Sequence, residues 1–97
     1  MKTIKLNDAL EVNPRELIRG VVINAPSGAN LDQVRKRLRI LDALAKANGS
    51  PEMQLEDADW ELLKSLYAEF KFIKAHQDLV TIYDDIANAR IDDRSLV

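Results

Sequence analysis

The chain has no cysteine in 97 residues, which excludes disulfides and thiolate metal centres and suits a reducing compartment. Histidine occurs once, as His76, so no multi-histidine metal site can form. Nucleophilic catalysis would need His76 beside an activated Ser or Thr, and Ser27, Ser50, Ser65 and Ser95 lack the strand-to-helix elbow that exposes such a nucleophile. Glycine is scarce, and Ser27-Gly28-Ala29-Asn30 lacks the long loop ending in Lys-Ser or Lys-Thr that cradles phosphates. The strongest apolar run, Val21-Val22-Ile23, is far too short to span a bilayer, and no signal-peptide stretch follows Met1. These absences point to a cytoplasmic, non-enzymatic protein without a cofactor.

The chain has the length of one small domain and the amphipathic patterning of an α-helical one. Net charge is only −2, but it is divided unevenly. Residues 1–50 carry nine Lys/Arg against five Asp/Glu, and residues 51–97 carry five against eleven. Such asymmetry serves nucleic-acid contact, self-association, or solubility alone.

Lys2 to Leu6 alternates as a short strand with Ile4 and Leu6 on one face. Asn13-Pro14 reads as an N-cap and first helical residue, opening a helix to about Asn24 with Leu17, Ile18, Val21 and Val22 on its apolar side. Gly20 and the β-branched run Val21 to Ile23 also fit a strand, and Pro26 supplies a stop. Asn30 with Gln33 has capping-box spacing. Leu31, Val34, Leu38, Leu41 and Ala45 then recur at intervals of three and four as the stripe to be buried, widened by Ile40 and Leu44, until Gly49 ends the helix.

Met53-Gln54-Leu55 is extended and positioned to pair with residues 2–6. Glu56 or Asp57 caps a helix bearing Trp60, Leu63, Leu66, Tyr67 and Phe70. The period breaks at residues 71–74, and a last helix carries Leu79, Ile82, Tyr83 and Ile86. The expectation is a mainly α domain over residues 1–90, a bundle of three to four helices with a minor two-stranded β element (2–6 with 53–55), and a frayed tail at 91–97.

Two clusters carry what chemistry there is. Arg35, Lys36, Arg37 and Arg39 are the basic one; Arg35, Arg39 and Lys46 read as a common face opposite the Leu stripe, a candidate phosphate-contacting surface with Lys36. An acidic domain argues against that use. Glu56, Asp57, Asp59 and Glu61 form the acidic one, with Asp57 and Glu61 on one helical face; lacking a calcium-loop pattern, they suit the helix dipole instead. Trp60, between Asp59 and Glu61, is a candidate for incomplete packing and hence a partner anchor, with Tyr67, Arg35 and Arg39.

The order of features has a likeness. A short strand is followed by Glu-Leu-Ile-x-x-Val-Val-Ile-Asn-Ala-Pro at 16–26, an Arg- and Leu-rich helix at 34–44, Met-Gln-Leu-Glu-Asp-Ala-Asp-Trp-Glu-Leu-Leu-Lys at 53–64, and a final helix. Over residues 4–88 this is similar to a class of small phage and prophage proteins that pair two helical halves. The resemblance implies an accessory protein in the cytoplasm of an infected or lysogenic host, and it carries no site residues. The expected function is protein–protein interaction or assembly, through a protein partner or self-association as a homodimer. The alternative is a nucleic-acid-binding regulator using the Arg35–Arg39 helix.

Overall fold

β1 (Lys2–Lys5) is the middle strand of a three-stranded antiparallel sheet, ordered β2-β1-β3, in the computed structural model, which describes residues 1–25, 28–72 and 74–91, with Ile91 by its backbone only. β2 (Glu52–Leu55) sets Met53 opposite Ile4 and Leu55 opposite Lys2, the pairing expected from the alternation. Because side chains alternate along a strand, Ile4, Leu6, Met53 and Leu55 share the buried face of the sheet. β3 (Arg90–Ile91) lies on the other edge, with Arg90 opposite Thr3. Residue 91 therefore belongs to the sheet and not to a loose tail, while 92–97 lie outside the described residues. The Arg90–Glu52 ion pair joins the two outer strands across β1.

Four helices make up most of the remaining described residues. α1 (Pro14–Ile23) settles the ambiguity of residues 15–24 as helix. The Asn13 side chain accepts from the Arg15 and Glu16 amides, and Pro14 occupies the first turn, where a missing N–H costs nothing. The chain leaves the helix at Asn24, whose own amide and side chain both donate to the Gly20 carbonyl; Pro26, the expected stop, lies outside the described residues. α2 (Leu31–Lys46) starts at Asn30, which accepts from the Gln33 amide at 2.9 Å. It ends at Ala47, and Gly49 follows at φ +82° inside a turn closed by the Ser50 amide on the Ala47 carbonyl. α3 (Asp57–Glu69) and α4 (Gln77–Ala87) are separated where the period breaks.

The helices bury one shared core against the sheet: Ile18, Val21 and Val22 of α1, Ile40 and Leu44 of α2, Leu63 and Tyr67 of α3, and Ile82 and Ile86 of α4. α3 sits centrally, packed against α1, α2 and α4. Arg15 fastens the loop before α1 to the far end of α2. Its guanidinium meets the Asp8 carboxylate at 3.1 Å and donates to the carbonyls of Ala47, at 2.7 Å, and Ser50.

One expectation about the core fails. Of the stripe Leu31, Val34, Leu38, Leu41 and Ala45, only Leu41 packs partly against the core, and the others are exposed. The buried side of α2 is Ile40, Leu44 and the capping Ala47. Both sets repeat with helical spacing, and the positions of α1, α3 and β2 decide which is covered. No helix among the described residues is long and apolar enough to cross a membrane.

Candidate functional site

Having turned Ile40 and Leu44 inward, α2 presents a second apolar surface to solvent. Leu31 is 65% exposed and Leu38 59%, with Val34 and Ala45 also exposed between and beyond them. At 100° per residue these side chains fall on one outward arc almost opposite Ile40. Ile23, 55% exposed, extends the surface from the neighbouring helix. Arg37 places it there: one Nη1 donates to the carbonyls on either side of Ile23, Val22 at 2.7 Å and Asn24 at 2.8 Å. These bonds satisfy carbonyls that the end of α1 would otherwise leave unpaired. Large apolar groups are thus left in water together on the helix that also buries Ile40 and Leu44.

The basic residues border this surface instead of facing away from it. Arg35, Arg39 and Lys46 lie along one flank, with Asp42 among them. Most are already matched: Lys36 with Asp32 at 3.3 Å and Lys46 with Asp42 at 3.0 Å, each one turn apart. Arg39 reaches α3, where its Nε and Nη2 donate to the two oxygens of Asp59 at 3.0 and 2.9 Å. That hydrogen bonding raises the guanidinium pKa above its ordinary value. Among the described residues Arg35 has no carboxylate within ion-pair distance. The result is a neutralised flank, poorly suited to gripping a run of phosphates.

Trp60 and Tyr67 sit elsewhere. The expected incomplete packing of Trp60 is corrected by an indole only 9% exposed, whose Nε1 donates to the Ile86 carbonyl at 2.8 Å. Lys64 stands 3.6 Å and Lys2 4.5 Å from the ring centroid, so cations occupy the approach a partner would use. Tyr67 is buried, donates to the Leu79 carbonyl at 2.5 Å, and packs against Phe72 and Tyr83 with ring centroids 5.4 and 5.5 Å apart. Both residues hold α3 to α4.

His76 caps α4, as its polar setting suggests. Its Nδ1 accepts from the Asp78 amide at 3.0 Å and its Nε2 meets Glu11 at 3.1 Å. Both ring nitrogens are thus engaged in the described contacts. The acidic cluster disperses: Asp59 turns inward, Asp57 meets the terminal amine at 3.5 Å, and Glu61 pairs with Lys64 at 3.4 Å. Among the described residues no three His, Asp or Glu side chains are grouped to hold a metal ion. Ser27 of the Ser27–Asn30 segment, which lacks a phosphate-loop pattern, lies outside the described residues, and Asn30 there serves as a cap.

Two concavities among the described residues bear on the site. One of about 630 Å³ between α3 and α4 is lined by Tyr67, Phe72, Lys74, His76, Val80 and Tyr83. The other, about 530 Å³, lies beside the Arg39–Asp59 pair and is lined by polar groups including Asp42, Lys46 and Glu52. Sequence reasoning missed that the Leu31–Leu38 stripe is a surface; the available signal was its strict three-four spacing, which is narrower than a core-facing helix needs. Compared with family models, curated proteins and solved structures, the chain finds no match.

Proposed function

We propose that this is an interaction protein whose working surface is the outer face of α2, Leu31, Val34 and Leu38 together with Ile23. The observation that carries this reading is the two-sidedness of α2: one apolar arc completes the core, and a second, equally regular one is left in water. Fixed on a rigid helix, such an arc binds by burying apolar area, and charged neighbours select the partner. An accessory role of the kind implied by the likeness to small phage proteins accords with it. The nucleic-acid reading has less support, because Lys36, Arg39 and Lys46 each already face a carboxylate.

The test is Leu38→Glu in the full chain, assayed by light scattering for self-association and by capture from a lysate of the host. The substitution abolishes whatever association the wild type shows and leaves the helical circular dichroism intact. A wild type that is monomeric, captures nothing and is retained on duplex DNA at low salt would overturn the proposal.

A further inference from the structure

The outer arc of α2 has more regularity than a generic apolar patch. Its exposed members Leu31, Val34, Leu38 and Ala45, with Leu41 at the margin where it packs partly on the core, follow a 3-4-3-4 spacing, the a and d positions of a heptad. Such spacing keeps a seam continuous along a helix and matches it to another helix, and the sixteen residues of α2 carry it for two full repeats. In this register Arg35 and Asp42 occupy the e positions beside the seam, with Asp32 and Lys46 one step farther out. The opposite side of the seam is closed off by the end of α1, where Arg37 is already committed to the Val22 and Asn24 carbonyls. A partner helix therefore meets charge on one side only.

The order of charge along that side singles out the partner. Asp32, Arg35, Asp42 and Lys46 read negative, positive, negative, positive about a midpoint near residues 38–39. Turned end for end and laid against itself, the same helix sets Arg35 against Asp42 and Asp32 against Lys46. Laid parallel, the e flank of one copy meets the g flank of the other, where Arg37 is committed to α1 and Leu44 is buried, so these charges gain no free opposite partner. Arg39, nearest the midpoint, would meet its own copy, but its charge is balanced within the chain by Asp59. The present pairs of Lys36 with Asp32 and Lys46 with Asp42 are exposed one-turn pairs, which are weak and easily shared with a new neighbour.

We infer that the occupant of this face is a second copy of the chain, its α2 packed antiparallel on the first about a two-fold axis near Leu38. The inference rests on the reading of the α2 face as the working surface and names its partner. Each seam residue is then used twice, as in any isologous contact, and Ile23 of each copy borders the ends of the seam. Antiparallel pairing puts Leu31 beside Ala45 of the second copy and brings the two Leu38 side chains together.

The test uses the full chain, which lacks cysteine and so accepts single labels cleanly. Light scattering on the wild type gives a dimer, and Leu38→Glu raises its dissociation constant at least about tenfold, as for a central anchor. Arg35→Glu weakens it several-fold, and adding Asp42→Arg in the same chain restores it. Mixing Leu31→Cys with Ala45→Cys chains under mild oxidation yields the mixed disulfide faster than either self-disulfide, because only antiparallel copies bring those positions within bonding distance. Dominant Leu31→Cys self-disulfides, or no rescue by the double charge swap, would overturn the antiparallel arrangement. A monomeric wild type that captures another protein through Leu38 would overturn the second copy while sparing the working surface. A dimer indifferent to Leu38→Glu would overturn both.

Discussion

Arg39 of α2 grips Asp59 in the first turn of α3 with both prongs of its guanidinium, and the carboxylate it holds is only 2% exposed. The arginine side chain itself is about half in water. The pair thus joins the core edge to the surface and fixes α2 against α3 beside the proposed interface. Burying a carboxylate is costly without such a partner, so removing the arginine strands it. Arg39→Met is therefore expected to lower the urea midpoint clearly more than Arg35→Met, and Arg39→Met with Asp59→Leu to recover part of the loss. Equal effects of the two single substitutions would show that the pair does not anchor α3.

Trp60 gives the second expectation. As a buried ring between β1 and α4, it is expected to matter to folding more than to recognition. Trp60→Ala costs about 3–5 kcal/mol, a large part of the stability of a small domain. Chemical denaturation measures it, and an unchanged midpoint with lost self-association would reverse the assignment.

Burial pushes the Tyr67 phenol from 10.0 up to about 12. In the unfolded chain it ionises at its ordinary value, so above pH 10 the unfolded state releases its proton first. The contribution of Tyr67 is intact below pH 10 and is lost progressively as pH rises towards 12. In a Tyr83→Phe background, which leaves one tyrosine to observe, phenolate absorbance should rise with an alkaline midpoint near 12. Titration near pH 10 in the folded protein would refute the burial argument. Stability should fall less steeply across this window in Tyr67→Phe.

Two glycines are expected to respond in opposite directions. Gly20 lies inside α1 with nothing within 4 Å of an added Cβ, so Gly20→Ala stabilises by about 0.5–1 kcal/mol. Gly49 also has room, but its φ of +82° disfavours any side chain, and Gly49→Ala costs about 1 kcal/mol. Thermal melts of both variants check the pair together.

His76→Ala removes the cap of α4 and its contact to Glu11, which costs about 1 kcal/mol. A loss in α4 alone, read by amide exchange at Leu79 and Val80, would identify the cap as the cause. An unchanged exchange pattern would show that the Asp78 amide does not depend on it.

Local chemistry was legible where a few adjacent residues decide the outcome. Asn13-Pro14 and Asn30 opened the helices they were expected to open, and the alternation of 2–6 and 53–55 gave a correct strand pairing. The face of α2 was not legible, because Ile40 and Leu44 share the period of Leu31, Val34 and Leu38, and only distant neighbours choose between them. Arg15 gave no signal, since its acceptors are carbonyls 32 and 35 positions away, whose identity no side chain records. β3 was invisible for a similar reason: two residues cannot show alternation, and the open edge of β1 recruits them.

Because β1 serves both outer strands, the opening residues of the chain must wait for the closing ones. Lys2 and Thr3 reach their final neighbours only after Arg90 and Ile91 have been synthesised and brought back across nearly the whole length. Closing so wide a loop is a late and slow event in folding. Trimming the chain before Arg90 would leave β1 with a bare edge, open to strands from other molecules.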